Sequence, residues 1–142
     1  MTCRSAVTIG AFLAWTLFVW GLVRVRNILG DEALTGSERV GPLVLSATMW
    51  VPALALAVAL VVALVRHRPL GNAARIGVAA LAVWTVLIWL VRAYDIAIVN
   101  DHEAPFIIVH LVLAAISIAL AVLAARSMRP EVRERTPQAV GS

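Results

Sequence analysis

The sequence predicts an all-α integral membrane protein. Four transmembrane helices form two tandem hairpins, a parallel internal repeat, with the N and C termini both cytoplasmic. Three observations carry this expectation. The chain is 62% hydrophobic and 14% charged, with mean hydropathy +0.94, outside the range of soluble domains. Four apolar stretches, Ala6–Val23, Pro42–Val65, Ile76–Val91 and Phe106–Ala125, meet or approach the roughly 20 residues that a helix needs to cross a bilayer. Finally, the phrase WTLFVWGLVR at 15–24 returns as WTVLIWLVR at 84–92, without a counterpart to Gly21.

The residues downstream of each copy make the duplication more than a chance match. Each copy leads into an acidic connection, then an X-Pro pair (Gly41-Pro42, Ala104-Pro105), then an apolar run. Those runs end at Arg66 and Arg129, equally far from their prolines. The repeats therefore cover about 6–66 and 76–129 of a single domain, residues 1–129. Strict alternation of apolar and polar residues is absent, which argues against a β-barrel. The short connections leave no room for a soluble catalytic module.

The first stretch opens with Arg4 but lacks a small-x-small cleavage site, so it reads as a retained anchor and not as a signal peptide. Cys3 is the only cysteine, which excludes a disulfide framework or a thiolate cluster. The connection 66–75 is basic without an acid, and Arg126, Arg129, Arg133 and Arg135 come after the last stretch. The connections after the first and third stretches instead balance arginine with Asp31, Glu32, Glu38, Asp95, Asp101 and Glu103. Counting Arg4 with the basic side, arginine divides 8 to 4. The positive-inside rule then puts both termini in the cytoplasm and both acidic loops outside. Residues 130–142, with Pro130, Pro137 and mixed charge, read as a solvated tail. All 12 basic residues are arginine, which together with the abundant Ala and Val points to a GC-rich bacterial gene and its inner membrane. A pI near 11 reflects arginine at span ends and not a nucleic-acid surface.

The polar residues within the spans are the candidates for chemistry. If the third helix runs on to Asn100, Asp95 lies about 7.5 Å below its end, at 1.5 Å per residue. His110, five residues beyond Pro105, lies at a similar depth. Arg24 and Arg26 precede the expected stop at Gly30, while Ser46 and Thr48 come shortly after Pro42. One depth of the bundle thus collects Arg24, Arg26, Ser46, Thr48, Arg92, Asp95 and His110. Ionisable groups in a span face protein or water and carry function by default. An Arg92–Asp95 pair at i,i+3 neutralises itself, and histidine titrates near neutrality, so a proton-linked step is one reading. The competing reading has the arginines snorkelling to phosphates and His110 making one interhelical hydrogen bond.

Asp31, Asp101, His102 and Glu103, with Glu32 nearby, resemble outer metal ligands. Their spacing matches no recognised zinc pattern, and Asn100 or Asp101 serves equally as a helix cap. A single histidine inside a span excludes bis-His haem, and the sequence implies no cofactor. Trp20 and Trp89 fall near the outer ends of their helices, where aromatic anchors sit at the headgroups. Trp15 and Trp84 lie deeper. One tryptophan of each pair should pack between helices and the other meet lipid. Thr16 and Thr85 can bond back to their own helices. Pro52 should kink the second helix. Small residues four apart (Gly10/Ala14, Ala53/Ala57, Ala115/Ala119) offer close-approach faces.

The chain lacks the first-helix glutamate of small multidrug transporters and the cysteine pairs of quinone-linked thiol oxidoreductases. The leading expectation is a non-enzymatic accessory or assembly subunit of an envelope complex, in contact with lipid and with another membrane protein or itself. The alternatives are a proton-coupled transporter or channel using Arg92, Asp95 and His110, or an outer-leaflet protein that grips an anionic lipid with Arg24, Arg26 and Arg92.

Overall fold

The computed structural model describes residues 3–99 and 103–128. Among them every regular element is helical, and four helices are long and apolar enough to cross a membrane. They are α1 (Cys3–Gly30), α2 (Gly36–Val65), α3 (Asn72–Ile98) and α4 (Ala104–Ser127).

The two copies of the repeated phrase fold differently. In α1, α-helix from Cys3–Thr16 gives way to a π-helical stretch over Leu17–Val23, and α-helix resumes at Arg24–Gly30. A π-turn is what one extra residue produces when it is inserted into an α-helix, and this stretch contains Gly21, the residue that the second copy lacks. The Arg24 N–H reaches back to the Val19 carbonyl instead of its ordinary partner, the Trp20 carbonyl. Ser46 of α2 donates its hydroxyl to that Trp20 carbonyl at 2.5 Å. α2 passes close to Gly21, where an added Cβ would be in van der Waals contact with Trp50 Cβ at 3.4 Å. The second copy runs as unbroken α-helix through Tyr94, and its π-turn comes later, over Asp95–Val99.

α2 begins earlier than the Gly41-Pro42 pair suggests. Thr35 and Glu38 form a reciprocal capping box that starts the helix at Gly36, with Glu38 Oε2 accepting from Thr35 N–H at 2.8 Å. Two orphan donors are thereby satisfied, and Pro42 becomes an interior residue. Pro52 lies within α2 as expected and denies the Thr48 carbonyl its helical partner. The helix closes with Arg68 N–H on Ala63 O and His67 N–H on Leu64 O. His67 takes the left-handed position (φ 49°) in this closure, a place usually given to glycine. At the other connection, α4 starts after Glu103 with Pro105 in its first turn, where a missing N–H costs nothing.

Each helix packs on its neighbours in sequence, and α1 on α4 completes the ring. Consequently α1 and α3 face each other across a diagonal. That diagonal is filled by Phe12, Leu13, Trp20, Val78 and Trp89, with Met49 and Ala53 from α2. Polar side chains in the spans bond either to their own helix or across to a neighbour. Thr16 and Thr85 bond back to Phe12 O and Leu81 O. Trp15 Nε1 donates to Ser117 Oγ of α4 at 2.9 Å, and Trp84 Nε1 to Thr48 Oγ1 of α2 at 3.2 Å. Thus each first tryptophan ties its hairpin to the second helix of the other. The outward faces are apolar, as Leu22, Val58, Val83 and Val112 illustrate. In lipid such faces add nothing to helix association, so packing and these interhelical bonds hold the bundle.

Candidate functional site

The end of the bundle that carries the connections after α1 and α3 holds a recess of about 140 Å³. Three helices line it: Trp20, Arg24 and Asn27 from α1, Trp89 and Arg92 from α3, His110 from α4. Spacing explains the convergence. Trp20, Arg24 and Asn27 are four and three residues apart, and Trp89 and Arg92 are three apart, so each set shares one helical face. The π-turn of α1 absorbs Gly21 without turning Arg24 away from the side that Trp20 faces.

The recess is floored by tryptophan. Trp20 and Trp89 are 2% and 3% exposed and meet edge to face at 5.9 Å and 69°, the arrangement favoured by ring quadrupoles. Arg24 lies over the Trp20 ring with Cζ 5.2 Å from its centre, a cation–π distance. The two arginines are half-buried and repel each other. Asp95 attracts Arg92 from one side but does not line the recess, and neither does any other described carboxylate. Trp89 Nε1 and Arg24 Nε are buried donors with no hydrogen-bond partner among the described residues. His110 receives Phe106 against its ring at 4.0 Å, and its Nδ1 bonds the Phe106 carbonyl at 2.8 Å. A carbonyl only accepts, so Nδ1 carries the proton, and a neutral ring then keeps Nε2 as an acceptor.

The expected polar cluster therefore divides. Arg24, Arg92 and His110 come together. Arg26 is exposed on another face of α1, two residues and thus about 200° from Arg24. Ser46 is buried and committed to the Trp20 carbonyl. Thr48 bonds Leu45 O and Trp84 and lines a separate groove between α2 and α3, together with Pro52, Leu56 and Gly77. A shared depth does not fix the direction around a helix, which is what separates these residues.

Trp20 and Trp89, expected as headgroup anchors, are buried between helices, while Trp84 is 39% exposed. One tryptophan of the second pair does face outward, but it is the deeper one. Of the expected loop ligands, Asp101 and His102 lie outside the described residues. Asp31 accepts from Ala33 N–H and, through its carbonyl, from Arg39, which orders the first connection. Glu103 occupies the N-cap position of α4, the place expected for Asn100 or Asp101. Among the described residues no group of three or more His, Cys, Asp or Glu could hold a metal.

No protein-family model, curated protein or solved structure matches the chain.

Proposed function

We propose that this is a small accessory protein of a bacterial cytoplasmic membrane that works by binding and not by transport. It is built as two tandem hairpins with both termini inside and both acidic connections outside. The observation that carries the reading is the filled diagonal. In a transporter made of repeats, the path and its binding site run between the repeats near the bilayer midplane. Here that position is occupied by Phe12 and Met49, both fully buried, and by the Trp20–Trp89 pair. The duplication reading is further supported by corresponding tryptophans in corresponding roles. Trp15 and Trp84 each bond the opposite hairpin, while Trp20 and Trp89 meet.

An accessory protein needs an outward surface for its partner. Ala115 and Ala119 of α4 both face outward, where small side chains admit a second helix closely. Mild extraction from the native membrane, then native mass spectrometry, tests this. A second protein at fixed stoichiometry is expected, and a chain that always emerges alone contradicts the accessory role. Orientation has its own test, because Cys3 is the sole thiol and is exposed. A membrane-impermeant maleimide should label it only after cells are opened; labelling of intact cells would reverse the topology.

A further inference from the structure

We infer that the recess between Arg24 and Arg92 is a binding site for the phosphate of an anionic lipid. Four features point to an anion. Two guanidiniums face one small space from opposite sides of the bundle, Arg24 and Arg92. They repel each other, an arrangement that costs energy until a negative charge comes between them. Asp95 attracts Arg92, but no carboxylate of the described residues lines the recess itself. Most telling is Trp89, a recess-lining residue only 3% exposed, whose buried indole N–H has no hydrogen-bond partner among the described residues. Such a donor is costly to leave unmade, and an anion oxygen would satisfy it.

Size and depth identify the anion. About 140 Å³ accommodates four or five water-sized groups at roughly 30 Å³ each, which suits the five heavy atoms of a phosphate. The remaining lining is apolar, from Val19, Val23, Ile28 and Leu113, and matches a ligand whose charge is attached to hydrocarbon. Arg24 lies six residues before the end of α1 at Gly30, or about 9 Å along the helix. A span end is where lipid phosphates are concentrated whichever leaflet this is, so the inference does not depend on the proposed orientation. Arginine forks pair bidentately with phosphate, and Asn27 and His110 add polar groups at the rim.

The experiment uses the full chain in mixed phosphatidylcholine–phosphatidylglycerol micelles, with native mass spectrometry counting retained phosphatidylglycerol. One molecule should stay bound to the wild type. Arg24→Ala and Arg92→Ala should each weaken retention about tenfold or more, as expected when a charge-assisted contact is lost. Arg26→Ala, at the same end but on another face, should leave it unchanged. Trp89→Phe keeps the ring and removes only the N–H, so it should lower retention severalfold without unfolding the bundle. Equal retention by Arg24→Ala, Arg92→Ala and Arg26→Ala would overturn the site. If inorganic phosphate displaces the lipid at equal concentration, the recess takes a soluble anion and the lipid assignment fails. None of these outcomes depends on whether a partner protein co-purifies.

Discussion

Replacing Trp20 with alanine lowers the stability of the bundle by about 3–5 kcal/mol, the range found for large aromatic residues removed from cores. Trp20 is 2% exposed and touches three things that matter: the Trp89 edge, the Arg24 guanidinium, and through its carbonyl the Ser46 hydroxyl. Water is absent from the reference state in a bilayer, so the loss is one of packing and dispersion more than of hydrophobic transfer. Trp84 provides the internal comparison. It is 39% exposed and makes one hydrogen bond of 3.2 Å, so Trp84→Ala should cost about 1 kcal/mol or less. Unfolding by detergent titration reads both. Equal costs would mean that Trp20 is not an interior residue.

The second large effect concerns Gly21. Its replacement by leucine should destabilise by about 1–3 kcal/mol, the usual penalty of overpacking, because the first added atom already lies 3.4 Å from Trp50 Cβ. Deleting Gly21 should cost less. A π-turn stores one extra residue without changing the phase of the helix on either side, so deletion returns α1 to the unbroken form seen in WTVLIWLVR. Ser46 then donates to a carbonyl that also has its ordinary helical partner. Circular dichroism and unfolding of the two variants decide this. A deletion more damaging than Gly21→Leu would show that the π-turn itself is required.

These two residues also mark where sequence and structure agree and where they part. The four spans are legible from composition alone, since only continuous apolar runs satisfy a bilayer. α1 ends at Gly30 as expected, though without a left-handed glycine cap, and Pro105 stands in the first turn of α4 as capping chemistry predicts. The start of α2 differs because Gly41-Pro42 overshadows a stronger signal, Thr35 with Glu38 three residues on. The site is half legible. Depth comes from counting residues to a helix end, and it brings Arg24, Arg92 and His110 to one level. Facing does not come so simply when a π-turn intervenes, and the five-residue spacing of Trp15 and Trp20 crosses one. The π-turn is not the whole reason that Trp20 is expected at the headgroups and found in the interior, because Trp89 follows Trp84 through unbroken α-helix and is as buried as Trp20. Depth along a helix does not say which side faces the neighbouring helices. The sequence holds a clue in the two similar phrases: the one with an extra glycine, WTLFVWGLVR, is the one that folds with a π-turn inside it.

The central claim is that the two copies converge, so that Arg24 and Arg92 share one recess across the bundle. Thiol bridging in native membranes tests it most directly. With Cys3→Ser as background, Arg24→Cys combined with Arg92→Cys should be joined within one chain by a short bifunctional maleimide. Arg26→Cys combined with Arg92→Cys should not, because Arg26 points elsewhere. Bridging of the second pair as readily as the first, or of neither, would contradict the convergence and with it the site.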